Sequence, residues 1–163
     1  MRRLRAAIGS LVFLVLVPGV VAGVLPWMLT AWKGSSAWPL QVTGLVLLVG
    51  GASVLLVAFA RFVLEGLGTP APVAPTERLV IGGLYRYLRN PMYLAVAATI
   101  IGQALILGRL VLLAYAVVFA AVVAVFVHAY EQPTLTARYG DQYEAYRRAV
   151  PAWWPRRRPW NRG

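Results

Sequence analysis

The chain contains no cysteine, a single histidine and only five carboxylates. Without thiols it has no disulfide, no cysteine nucleophile and no sulfur-ligated metal. His128 stands alone, and Glu65, Glu77, Glu131, Asp141 and Glu144 are scattered, so no metal site is expected. Charge itself is scarce, at 13% of residues against 60% hydrophobic. That leaves too little polar surface to dissolve a fold of this length, which points to lipid as the solvent.

What the chain does have is long apolar runs. Ile8 to Leu29 is about the ~20 residues needed to cross a bilayer core. Pro18 interrupts it, which is tolerable where neighbouring helices re-satisfy freed carbonyls. The basic residues Arg2, Arg3 and Arg5 ahead of it also resemble the start of a signal peptide. The run is long for that purpose and ends in Pro26, Trp27 and Trp32, an interfacial aromatic belt, so a retained helix is the preferred reading. Pro39 to Phe62 forms a second span, Pro91 to Leu107 a short third and Leu110 to Tyr130 a fourth. Gly108 and Arg109 are the only break between the last two, which implies a tight antiparallel hairpin.

Four spans divide the basic residues unequally. Arg2, Arg3, Arg5, Arg61, Arg78, Arg86, Arg89, Arg138, Arg147, Arg148, Arg156, Arg157, Arg158 and Arg162 fall on one side, and only Lys33 and Arg109 on the other. By the positive-inside bias both termini face the cytoplasm, and the expected location is a bacterial inner membrane. The net charge of +11 is thereby explained without nucleic acid, with anionic membrane lipids as the partner of that surface.

The spacing implies an all-α integral membrane protein built as one domain over residues 1–163. Two N-terminal spanning helices occupy residues 1–65. A cytoplasmic linker follows over 66–90, rich in glycine and proline from Gly66 to Pro75. The helical hairpin and an amphipathic helix take residues 91–155, and a basic tail takes 156–163. The amphipathic helix is read from Leu135, Tyr139, Tyr143, Tyr146 and Val150, which recur at helical spacing with charged residues around the other faces. It is expected to lie at the membrane surface or to pack on the loop.

Polar chemistry concentrates at the cytoplasmic mouth of the third and fourth spans. Asn90 followed by Pro91 reads as a helix N-cap and first position. Asn90 precedes the hairpin turn by nearly as many residues as Glu131 follows it, so at 1.5 Å per residue their depths differ by only ~6 Å. A helix N-terminus, Arg86, Arg89, Tyr93 and Glu131 are thus expected at one site. His128, one turn before Glu131, reads either as a general base or as an interfacial imidazole.

The run Gly83-Leu84-Tyr85-Arg86-Tyr87-Leu88-Arg89-Asn90-Pro91-Met92-Tyr93, then Tyr130-Glu131-Gln132-Pro133, then Tyr139-Gly140-Asp141-Gln142-Tyr143 and Val150-Pro151, resembles the isoprenylcysteine carboxyl methyltransferase family and its phospholipid methyltransferase relatives. The resemblance implies S-adenosylmethionine as cofactor, surrounded by Tyr85, Asn90, Pro91, Tyr93, Glu131 and Gln132. It makes Arg86, Arg89 and Glu131 the expected catalytic residues. The acceptor it implies is a small lipid-like molecule arriving from the membrane, with a carboxylate or amine head group. Asn90 replaces a common histidine, and Gln132 replaces the usual second glutamate of a Glu-Glu pair. An NADPH-dependent reductase of sterol-reductase type and a non-enzymatic lipid-binding scaffold are the alternatives, and the oligomeric state is open.

Overall fold

The computed structural model describes residues 2–61, 64 and 79–161. The expected linker from Gly66 to Pro75, together with Arg78 and Arg162, lies outside the described residues. In chain order the helices are α1 (Arg2–Leu16), α2 (Leu25–Thr30), α3 (Trp38–Arg61), α4 (Pro91–Leu107), α5 (Leu110–Phe126), α6 (Gln132–Tyr139) and α7 (Asp141–Ala149). A π-helical turn (Val20–Val24) joins the first two of these, another (Val127–Glu131) joins α5 to α6, and a 3₁₀ turn (Gly83–Arg86) precedes α4. The described residues form no strand.

Three helical runs are long and apolar enough to cross a membrane: Leu11–Thr30, Trp38–Arg61 and Leu110–Tyr139. The expected third span, Pro91–Leu107, is an apolar helix but a shorter one. At 1.5 Å per residue it reaches only about 25 Å, short of a hydrocarbon core of roughly 30 Å. The exposed faces of α3 and α5 carry Val42, Leu45, Val46, Val49, Val117, Val118, Val122 and Val125. Such continuous apolar surface suits lipid and is unsuited to water.

Helices α3 and α4 share the most extensive interface. Their backbones touch because two glycines face each other. A Cβ on Gly102 would come within 2.6 Å of the Gly44 carbonyl oxygen, and a Cβ on Gly44 would stand equally close to the Gly102 oxygen. Small residues are the means by which helices without a hydrophobic driving force still pack tightly.

The irregularity in the first span has an identifiable cause. Pro26 brings no N–H to the carbonyls one turn before it. Those oxygens find donors on other helices instead: the Tyr115 hydroxyl donates to Val21 O (2.8 Å) and Gln103 Nε2 donates to Ala22 O (2.7 Å). Trp32 Nε1 in turn donates to Gln103 Oε1 (3.1 Å). Polar side chains in mid-span are thus consumed in pinning this wide turn to α4 and α5.

The hairpin turns where expected. Gly108 caps α4 at a left-handed φ of +63°, and α5 begins at Leu110. The single amphipathic helix does not survive. Gly140, at φ +51°, splits it into α6 and α7. Its periodic face still converges, because Tyr143, Tyr146 and Val150 form a buried cluster with Leu135, Tyr139, Leu79, Ile81 and Trp160 against it. The pair of helices therefore packs on the segment leading into α4 and on the tail.

Candidate active site

The site is assembled around the short segment 79–90. Its 3₁₀ turn starts at Gly83, which has φ +56° and lies so close to the Arg61 side chain that a Cβ would fall 2.7 Å from Nε. From the other side the Tyr146 hydroxyl donates to the Tyr85 carbonyl oxygen (2.7 Å). The C-terminal tail runs alongside. Arg89 N–H donates to Pro151 O (3.0 Å), Arg156 N–H to Tyr87 O (3.0 Å) and Trp160 N–H to Arg86 O (2.9 Å). Main-chain bonds of this kind leave the segment little freedom to shift.

Arg89 is fixed by the same elements. Its Nε donates to Val150 O (2.9 Å) and its Nη1 to the Tyr143 hydroxyl (3.3 Å). Burial pushes the Tyr143 phenol up, while the charge and hydrogen bond of Arg89 pull it the other way. Burial likewise raises the Tyr146 phenol. Both remain neutral hydroxyls at physiological pH, so Tyr143 accepts from Arg89 without neutralising it.

Opposite Arg89, the π turn places Glu131 over the start of α4. A π turn of this kind widens a helix at one point and is frequent at functional sites. Here it also lets the run continue through Pro133. The Tyr93 hydroxyl donates to Glu131 Oε2 (2.9 Å), joining residues 38 positions apart. That contact brings together Tyr93 and Glu131 from the two arms of the hairpin.

Asn90 occupies the N-cap position of α4, with Pro91 as the first helical residue. Its side chain makes no capping hydrogen bond, contrary to the usual role of such a residue. It is 6% exposed, and its Nδ2 has no hydrogen-bond partner among the described residues. A buried donor left in this state costs roughly 1–3 kcal/mol.

These groups open onto a cavity of about 480 Å³. Arg89, Asn90, Tyr93, Glu131, Thr134 and Arg138 line its polar end, and Phe13, Val17, Val21, Val96, Phe119 and Val123 its apolar remainder. From Phe119 on α5 to Glu131 at the end of the π turn the lining extends about 18 Å at helical rise.

Of the residues singled out by sequence, Tyr85, Arg89, Asn90, Pro91, Tyr93 and Glu131 all line this cavity. Arg86 and Gln132 are not among the lining residues. The Arg86 Nε is committed to the Trp160 carbonyl (2.9 Å), which makes it a clasp for the tail. His128 is exposed and away from the cavity lining. Sequence reasoning missed the α1 wall, for which no local signal exists. It also missed Tyr143 and Val150 as the holders of Arg89, although both belonged to the periodic apolar face.

Residues 40–142, well over half of the 163-residue chain, match the phospholipid methyltransferase family. The match begins in α3, covers the hairpin and both π-turn partners Tyr93 and Glu131, and ends at the start of α7. No curated protein and no solved structure matches the chain. The chain belongs to the phospholipid methyltransferase family, within the isoprenylcysteine carboxyl methyltransferase-like group of membrane methyltransferases.

Proposed function

We propose that the protein transfers a methyl group from S-adenosylmethionine to a lipid-like acceptor held in the membrane. The observation that carries this reading is one cavity that joins a charged end to an apolar remainder, about 18 Å from Glu131 to Phe119 at helical rise, in a chain of a methyltransferase family. Its volume falls within the roughly 300–1,000 Å³ typical of small-molecule sites.

The residues present fit the cofactor. Asn90 Nδ2 is a buried donor in want of an acceptor, and it stands beside the free N-terminus of α4, a position that favours a carboxylate. Glu131, already oriented by Tyr93, suits a cationic or hydroxyl group. When bound, S-adenosylmethionine supplies a methyl group activated by a sulfonium charge. Holding donor and acceptor in line is then the chief catalytic task. Arg89 serves it from a fixed position, because Nε and Nη1 are both anchored. Glu131 and Tyr93 orient the polar partner from across the cavity. The apolar bore takes the acceptor's tail, each methylene contributing about 0.8 kcal/mol when kept from water.

The same proposal makes α4 the third of four spans, with both termini and the site on the cytoplasmic side. The ends of the molecule support it. Lys33 and Arg109 flank the end at which Ser36 N–H bonds to Ile106 O, and Arg86, Arg89 and Arg156 gather where the tail bonds to the segment before α4.

Detergent-purified protein should be stabilised by S-adenosylhomocysteine and unaffected by NADPH, with about 2.7 kcal/mol gained at a hundredfold excess over Kd. Stabilisation by NADPH alone would replace this reading with the reductase one. Stabilisation by neither would remove the cofactor assignment.

A further inference from the structure

A second cavity of about 470 Å³ lies on the other side of the 79–90 segment, outside the proposed active site. Leu84, Tyr87 and Leu88 face it, whereas Leu79, Val80, Tyr85 and Arg89 face the first. Its long walls come from α3 and α4, where Val46, Gly50, Val54, Leu94 and Ala98 line a groove open to the surface. From Val46 to Val54 the groove runs about 12 Å at helical rise, close to the ~15 Å depth of one bilayer leaflet's hydrocarbon. Gly50 keeps it open, since a Cβ there would meet nothing within 4 Å.

Pro155, the residue immediately before Arg156, Arg157 and Arg158, also lines this groove. The tail is fixed at that point, because Arg156 N–H bonds to Tyr87 O (3.0 Å) and Arg156 Nη1 to Ala149 O (3.0 Å). Arg157 and Arg158, the next two residues, are exposed. An apolar channel of about leaflet depth is thus lined by Pro155, where an arginine run begins whose first member is fixed and whose next two are exposed. An acyl chain suits the channel, and an anionic head group suits the arginine run that follows Pro155.

We infer that this groove binds one anionic phospholipid of the bilayer, its acyl chain between α3 and α4 and its phosphate at Arg157 and Arg158. The site is independent of the methyltransferase reading, because none of its residues except Pro91 lines the first cavity. It does touch the back of the segment that carries Arg89. A lipid seated there buttresses Tyr87 and Leu88, and through them the active-site segment.

Native mass spectrometry on the full-length protein, released from micelles containing either phosphatidylglycerol or phosphatidylcholine of matched chains, tests the inference. The expected result is one tightly retained phosphatidylglycerol, with retention of phosphatidylcholine at least fivefold lower. Gly50→Phe, which places a ring in open space, is expected to abolish that retention. The double substitution Arg157→Gln/Arg158→Gln is expected to leave weak retention that no longer distinguishes the two lipids. Because the tail variant alters only exposed side chains, it keeps the test meaningful if Gly50→Phe disturbs α3. Equal retention of both lipids by the unmodified protein overturns the inference, as does full phosphatidylglycerol retention in the double variant. A dimer peak lost on Gly50→Phe overturns it in favour of a second copy of this chain as the occupant.

Discussion

Glu131 and Gln132 are neighbours in sequence, yet only Glu131 lines the cavity and hydrogen bonds to Tyr93. Family resemblance treats the two as a pair, and the geometry separates them. Glu131→Ala is therefore expected to weaken S-adenosylmethionine binding by roughly 1.5–3 kcal/mol, the range for a hydrogen bond to a charged group. Gln132→Glu, which adds a charge outside the lining, is expected to change affinity by less than about 1 kcal/mol, as for an exposed ion pair. Isothermal titration of both variants checks this, and a larger effect at position 132 would show that it faces the cofactor after all. At the same scale, the phenols of Tyr143 and Tyr146 are raised by burial. The folded protein thus holds those protons more tightly than the unfolded chain does. That contribution is fully present below the ordinary phenol range near pH ~10 and is lost as pH rises beyond it. Thermal melts should show stability falling above that range in the unmodified protein and falling less steeply in the Tyr143→Phe/Tyr146→Phe variant.

Among the helices, the α3–α4 contact is the most sensitive to volume. Gly102 faces backbone rather than a yielding side chain, with the Gly44 oxygen 2.6 Å and the Leu48 nitrogen 2.8 Å from an added Cβ. The helices must separate to admit any side chain there. Gly102→Leu is expected to destabilise by about 1–3 kcal/mol, the usual range for overpacking, and to lower the melting temperature in detergent. An unchanged melting temperature would mean the two helices are not in contact at this level. The π turn at Val127–Glu131 is the other element-scale feature. It aims Glu131 at Tyr93 while allowing the helix to pass through Pro133, so one irregularity both positions a functional group and accommodates a proline.

For the whole molecule the outstanding property is its orientation. Because the chain lacks cysteine, single cysteines at Ser35 and Gln142 report on the two ends without background. Both positions are exposed or partly exposed to reagent, Ser35 in the loop before α3 and Gln142 on α7. With both termini cytoplasmic, an impermeant thiol reagent added outside intact cells should label position 35 and leave position 142 untouched. Labelling of both from the same side would reject the four-span arrangement.

The apolar runs, the hairpin break at Gly108, the N-terminus of α4 at Pro91 and the shared depth of Asn90 and Glu131 were all legible along the chain. Each depends on local properties: hydropathy over a span, a left-handed glycine, a proline without an N–H, a fixed rise per residue. The Tyr139–Tyr143–Tyr146 face was legible for the same reason, although the break at Gly140 was not, because periodicity passes through a kink that keeps the same face buried. What the tertiary structure alone decided are the contacts between distant positions. Phe13 and Val17 wall a cavity whose charged groups come from residues 89–138, Val150 and Tyr143 hold Arg89, and Trp160 occupies Arg86. No pattern along the sequence encodes these. They arise because carbonyls at a segment's end accept from whichever donor the packed helices bring near, and an arginine's five donors are divided among the acceptors within reach.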